Sequence, residues 1–206
     1  MRKIGIFGGS FNPIHNGHLL VMQAAVEAAG LDKLLVMPCH ESPFKRGKQD
    51  LAGGADRMAM IQAAVAGDAR FEPCWVELER GGVSYAVDTL SQLQAFYPDA
   101  RLALVIGMDT LRDLHLWHKA DELVTLCDVI TVQRPGFDAT PTPLDLGFPR
   151  DIAHRLLNRV IRGRLCEISS SEIRQRVASG QPIRYLVPPA VDDYIRTHGL
   201  YKPPAG

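Results

Sequence analysis

Short apolar runs alternate along the chain with stretches in which apolar positions recur every three or four residues. Residues 4–7 form the first run, and 19–29 behind it carry the helical spacing, so a strand is predicted to lead into a helix. The same reading gives a second strand over 33–37 stopped by Pro38, a loop over 39–54 and a helix over 57–66. A third strand is predicted at 71–76, then a helix at 84–97 that Pro98 ends. Strands at 101–106 and 128–132 follow, then an irregular Pro-rich stretch over 134–149. A strand at 164–168 and helices at 170–179 and 188–197 complete the series. Strands alternating with crossover helices predict an α/β fold, a Rossmann-like, doubly wound parallel sheet with helices on both faces.

The first connection is Gly8-Gly9-Ser10-Phe11-Asn12-Pro13-Ile14-His15-Asn16-Gly17-His18. Strand, glycine-rich turn, helix is the arrangement that aims backbone N–H groups and the positive end of a helix dipole at an anion. Glycines at 8, 9 and 17 let a ligand come close to the main chain, and His15 and His18 stand where an anion would rest. Neither the dinucleotide fingerprint nor the P-loop pattern occurs. A plain turn with two surface histidines is the bland alternative. A metal pair is the poorer one, because no third ligand is spaced nearby. A second stretch, Ile168-Ser169-Ser170-Ser171-Glu172-Ile173-Arg174, reads two ways: Ser169 and Glu172 fit a capping box, and the hydroxyls with Arg174 fit a phosphate cradle. Both uses draw on the same unpaired helix-end donors. Gly8, Cys39, Gly107 and Ser169 all follow predicted strand ends, where open α/β sheets bind ligands.

Composition narrows the class. A chain of 206 residues, 46% hydrophobic, supports one α/β domain over 1–206, with a helical part at about 169–201 carrying the second signature. Twenty-three Lys and Arg balance 23 Asp and Glu, so nothing advertises a nucleic-acid or anionic membrane partner. Cys39, Cys74, Cys127 and Cys166 form no C-x-x-C pair and are expected as reduced thiols. No run is long enough to span a bilayer, and the apolar start is cut short by Gly8-Gly9, so a cytoplasmic location is expected. The absence of a G-x-S-x-G elbow argues against acyl chemistry on a serine.

The stretch from Gly9 to His18 resembles the H-x-G-H nucleotidyltransferases, and within them it is similar to the bacterial nicotinate mononucleotide adenylyltransferase family. The resemblance runs on through most of the chain. Ile168 to Arg174 resembles that family's Ile-Ser-Ser-Thr-x-Ile-Arg, with Ser171 keeping the hydroxyl of the usual Thr. Ser84-Tyr85-Ala86-Val87-Asp88-Thr89 resembles Ser-Tyr-x-x-Asp-Thr; Gly107-Met108-Asp109 and Leu116-Trp117-His118 resemble its Gly-x-Asp and Trp elements. Arg134, before Pro135-Gly136, resembles an Arg-Pro-Gly turn. Lys45 sits where the family carries Pro-His-Lys, but Phe44 replaces the histidine; His40 is the neighbouring imidazole.

The resemblance implies transfer of AMP from ATP to nicotinate mononucleotide, giving deamido-NAD and pyrophosphate by direct in-line attack, with Mg²⁺ on the ATP phosphates. It implies catalytic roles for His15, His18, Lys45 and Arg174. It implies ATP contacts from Gly8, Gly9, Ser10, Phe11, Gly17, Gly107, Asp109 and Arg134, and from Ile168, Ser169, Ser170 and Ser171. Ser84, Tyr85, Thr89, Trp117 and His118 are implied to receive the mononucleotide, the Trp117 ring stacking on its pyridine. N–H donors suit a carboxylate and not an amide NH₂, a mismatch costing about 1–3 kcal/mol. The partners implied are these two small molecules, with no nucleic acid or membrane; the oligomeric state is left open. Three rivals stand beside it: a phosphopantetheine adenylyltransferase, which lacks the Ser-Tyr-x-x-Asp-Thr and Trp elements; a class I aminoacyl-tRNA synthetase, which is larger; and a nucleotide-binding protein without turnover.

Overall fold

The computed structural model describes residues 1–44, 52–133, 141–164 and 166–203. Six parallel strands form one sheet in the order β3-β2-β1-β4-β5-β6. They are β1 (Arg2–Gly9), β2 (Lys33–Pro38), β3 (Phe71–Pro73), β4 (Ala100–Gly107), β5 (Asp128–Gln133) and β6 (Val160–Arg162). β1 lies between β2 and β4, with Ile6 opposite Leu35 on one side and Leu104 on the other. The chain therefore winds outward from β1 in one direction and then restarts at β4 in the other. The carboxyl ends of these two strands, at Gly9 and Gly107, frame the crevice such a reversal opens.

Side chains alternate along each strand and so build two cores. On one face, Leu102, Leu104 and Ile106 of β4 pack against α3 (Val76–Arg80), α4 (Ala86–Phe96), α5 (Met108–Asp113), α6 (Ala120–Leu126) and α7 (Arg150–Leu157). On the other, Ala103 and Val105 meet α1 (Asn16–Ala29), α2 (Gly54–Val65), α8 (Ser170–Ala178) and α9 (Pro189–Thr197). Helices on both faces of a parallel sheet are the predicted architecture. Among the described residues no helix is long and apolar enough to cross a membrane.

Three local expectations are corrected. The strand expected at 164–168 lies earlier, as β6 at Val160–Arg162; residue 164 and residues 166–169 have no regular structure, and Leu165 lies outside the described residues. A three-residue edge strand is too short to show alternation. The third strand stops at Pro73, whose ring removes an N–H, and the chain turns into α3 by Val76. Finally, α7 begins just past the 134–149 stretch read as irregular, where no element was predicted, because prolines upstream masked a short amphipathic segment. Lys45 and Arg134 lie outside the described residues.

Candidate active site

The loop between β1 and α1 is shaped from within by aromatic contacts. Phe11 takes a left-handed backbone, φ 45°, and tucks its ring over Gly9, where an added Cβ would sit 3.2 Å from the ring. That ring then meets His18 edge-on, with centroids 5.0 Å apart. His18 and His15 stack at 3.7 Å with planes 25° apart. His15 is only 3% exposed, wedged above Gly17, whose missing Cβ makes room for the imidazole. The His15 N–H donates to His18 Nδ1 at 3.2 Å. With Nδ1 accepting, Nε2 is the ring nitrogen that can turn an N–H toward a ligand.

The helix N-terminus contributes fewer bare amides than its sequence suggests. The His18 N–H bonds to the His15 carbonyl at 2.9 Å, and the Asn16 N–H is taken by Leu186 O, also at 2.9 Å. Capping has consumed these donors. What the loop offers a ligand is therefore His18 and the Gly8–Ser10 main chain, where a Cβ on Gly8 would meet nothing within 4 Å.

The second signature lies against the first. Arg174 donates to the Asn12 carbonyl at 2.7 Å and to Ser171 Oγ at 3.2 Å. Ser170 Oγ donates to Pro13 O at 2.9 Å, and the buried Tyr201 hydroxyl donates to Asn12 Oδ1 at 2.6 Å. Ser169 Oγ accepts from the Glu172 N–H at 3.1 Å, the capping geometry of one of its two readings. Ile168 packs against the core beneath. From the other side, the buried Arg57 guanidinium donates to Ser10 O at 3.0 Å and Cys39 O at 2.8 Å. Neither Tyr201 nor Arg57 was singled out by sequence, and nothing in the sequence around Tyr201 signals its role.

A cleft of about 620 Å³ opens beyond β1 and β4. Gly8, Gly9, Ser10 and His18 line one side; Ser84, Tyr85, Thr89, Gly107, Asp109, Trp117 and His118 line the other. Thus part of the predicted ATP group shares one cavity with the predicted mononucleotide residues, whereas Phe11, His15, Gly17, Ile168, Ser169, Ser170, Ser171 and Arg174 do not line it. The Tyr85 and His118 rings lie 4.3 Å apart, tilted by 37°, and Phe44, exposed at the mouth, stands 6.0 Å from Trp117. His40 holds Ser84 through its N–H at 2.9 Å, and its ring bonds Gly82 O at 3.0 Å. At the cleft floor Thr89 Oγ1 lies 2.7 Å from Glu77 Oε1 and accepts from Arg80 at 2.8 Å. Burial pushes the Glu77 carboxyl above its ordinary value, against the hydrogen bonds from Thr89 and Ser84 and the charge of Arg80. Among the described residues no three of His, Cys, Asp and Glu gather as a metal-ligand set.

A parallel sheet that reverses at β1, with imidazole and glycine backbone at the reversal, forms the kind of crevice in which doubly wound α/β proteins bind nucleotides. The chain belongs to the cytidylyltransferase-like family, whose model matches residues 6–176. It is 39% identical over 203 residues to the nicotinate-nucleotide adenylyltransferase of Bacillus subtilis (strain 168), covering 98% of this chain and 100% of that protein. It is 41% identical over 208 residues to a probable nicotinate-nucleotide adenylyltransferase of Synechococcus sp. (strain JA-3-3Ab), covering 98% of this chain and 96% of the relative. In fold it matches a Plasmodium falciparum nicotinic acid mononucleotide adenylyltransferase complexed with NaAD, with TM-score 0.74, 20% identity and 98% of each chain covered.

Proposed function

We propose that this chain transfers AMP from ATP to nicotinate mononucleotide, giving deamido-NAD and pyrophosphate in NAD biosynthesis. The observation that carries the reading is the single cleft shared by the His18 loop and the Thr89–Trp117 wall. The near full-length similarity to nicotinate-nucleotide adenylyltransferases supports it.

The nucleophile is the mononucleotide's own phosphate, so no covalent enzyme intermediate is needed. The barrier is repulsion between that dianion and the α-phosphate: about 4 kcal/mol per unit-charge pair at ~4 Å with an effective dielectric near 20. Catalysis is then positioning plus charge stabilisation. His18 donates from Nε2 to the α-phosphate, and His15, stacked beneath, fixes its orientation. Arg174 has five N–H donors, of which two serve Asn12 O and Ser171, leaving the rest for the pyrophosphate end of ATP. Lys45 and Arg134 are proposed to add positive charge to the same cleft. Ser10, Gly107 and Asp109 face ATP; Tyr85, Trp117 and His118 face the pyridine. ATP enters as its magnesium complex, held by its own phosphates. The enzyme is proposed to be cytoplasmic and one nucleotidyltransferase domain, the core on the α1 and α2 face of the sheet being continuous with α8 and α9.

The test compares pyrophosphate release from ATP and Mg²⁺ with nicotinate mononucleotide, nicotinamide mononucleotide and phosphopantetheine in parallel. His18→Ala is expected to lower kcat with nicotinate mononucleotide by about 10²–10³ with the fold intact. Best turnover with another acceptor overturns the substrate reading, and a loss under about threefold removes His18 from the mechanism.

A further inference from the structure

Glu77 is the one buried carboxylate among the described residues, and it lines the cleft beside Thr89. Thr89 has a single hydroxyl proton and three neighbours competing around it. Arg80 can only donate, so it occupies a lone pair of Oγ1 at 2.8 Å. Glu77 Oε1 at 2.7 Å and Tyr85 O at 3.2 Å are the remaining partners. When Glu77 is ionised, the short contact takes the Thr89 proton, and the hydroxyl can show a ligand only a lone pair. When Glu77 is protonated, its own O–H donates to Oγ1 and the Thr89 proton is released. It then turns to Tyr85 O or to a ligand.

We propose that Glu77 is a positioning residue that sets the hydrogen-bond polarity of Thr89, so that a carboxylate-bearing pyridine nucleotide binds with Glu77 protonated and an amide-bearing one with Glu77 ionised. This rests on the reading that Thr89 receives the substituent of the pyridine ring. A pyridine carboxylate is acceptor-only and needs the released proton, whereas an amide NH₂ can donate to the lone pair. An ionised Glu77 would also repel a carboxylate at the same floor. Burial, which raises the Glu77 carboxyl above its ordinary value, favours the protonated form.

The charged and titratable surroundings are few. Arg80 and the exposed Glu79 lie on the same helix, and the half-buried Cys74 thiol precedes it. Tyr85 and the exposed Asp88 come from α4 and its approach, and Ser84 bonds Glu77 from the preceding loop. His40 and Glu41 reach the cluster through backbone bonds to Ser84, and His118, Asp109 and His18 stand across the cleft. Arg80 is the cation that acts on Glu77, and through Thr89 it is fixed in place.

Calorimetric titration of the full chain in two buffers of different ionisation enthalpy counts the protons taken up on binding. Nicotinate and nicotinamide mononucleotides carry the same phosphate, so titration of that group and of the imidazoles near it cancels between them. Near pH 8, wild type is expected to take up more protons with nicotinate mononucleotide than with the nicotinamide analogue. Glu77→Gln, whose amide donates permanently to Oγ1, should abolish the difference yet keep nicotinate affinity; Thr89→Val should abolish the difference and lose that affinity. In turnover, the wild-type ratio of kcat/KM for nicotinate over nicotinamide should fall at least ~tenfold from about pH 6 to about pH 9, through the KM of the acceptor. In Glu77→Gln the ratio should stay high and flat. Equal proton uptake for the two ligands in wild type, or a wild-type slope retained by Glu77→Gln, overturns the proposal. If nicotinate mononucleotide turns over with a pH-flat ratio, this inference alone fails; if it neither binds nor turns over, the functional reading fails as well.

Discussion

Gly17→Ala separates the stability of the loop from its catalytic geometry. Gly17 stands in the first turn of α1, and its φ is not in the left-handed region, so alanine meets no backbone strain. The new Cβ would lie 3.0 Å from His15 Nδ1, 3.1 Å from Cε1 and 3.6 Å from Cys166 Sγ, where ordinary contact begins at 3.4 Å. The imidazole must therefore yield by about 0.4 Å, the shortfall from 3.4 to 3.0 Å. It cannot swing into solvent, being buried and stacked on His18 at 3.7 Å. Overpacking of this kind costs about 1–3 kcal/mol, while replacing glycine by alanine within a helix returns up to about 1 kcal/mol. Net stability should fall by no more than about 3 kcal/mol, leaving a folded protein. The displaced ring carries His18 with it. Since a misplacement of ~1 Å costs about 10²-fold, a few tenths of an ångström should lower kcat roughly tenfold. Thermal unfolding and pyrophosphate release, measured on the same preparation, give both numbers. A variant that turns over within about threefold of wild type would show that the stacked imidazoles do not set the geometry of the reaction.

The remaining predictions concern the supports of the site. Arg57→Met removes two charge-assisted hydrogen bonds to Ser10 O and Cys39 O, each worth about 1.5–3 kcal/mol. The denaturant-unfolding free energy should fall by at least about 3 kcal/mol, and an unchanged midpoint would refute the assignment. Tyr201→Phe leaves the buried Asn12 Oδ1 without its 2.6 Å donor and should cost about 1–3 kcal/mol in the same assay. Burial pushes the Cys127 thiol up to about 12, so it stays neutral at ordinary pH. Alkylation followed by peptide mass spectrometry should leave Cys127 unmodified in the native protein and label it in denaturant; native labelling would contradict its burial.

How much of this was legible in the sequence follows from how local each feature is. The H-x-G-H loop was readable because glycine, histidine and the following helix lie within eleven consecutive residues, and their spacing alone defines a strand–turn–helix. The doubly wound sheet was readable because β1, β2, β4 and β5 are apolar runs long enough to stand out. β6 was displaced and α7 missed because three residues, or eight after a proline-rich stretch, carry too little pattern. Arg57, Glu77 and Tyr201 could not be assigned, since their partners lie 47, 12 and 189 residues away and only the folded sheet brings them together. Glu77 left the faintest clue, an acidic residue among apolar neighbours three positions before Arg80. The amides at the start of α1 were over-read. A helix N-terminus displays donors in sequence, but whether they remain available depends on caps, here His15, His18 and the Leu186 carbonyl.

That last point changes how the phosphate site works. With the Asn16 and His18 amides of α1 already bonded within the protein, fewer of its first N–H groups face a ligand, and net charge across the chain is zero. The proposed stabilisation then rests more heavily on a few donors whose positions are held by other parts of the chain. His18 is fixed by His15 and Phe11, and the loop carrying them is gripped from behind by Arg174, Ser170 and Tyr201. Arg174 therefore joins the two signatures mechanically, and in the proposed reaction it adds a charge at the pyrophosphate end of ATP. Its bond to the Asn12 carbonyl links the C-terminal helices to the imidazole loop, so a phosphate pulling on the guanidinium also loads the strand-to-helix turn that holds His18. On the proposed reading, the neutral chain stabilises the reacting phosphates by fixed geometry where a basic surface would do so by charge.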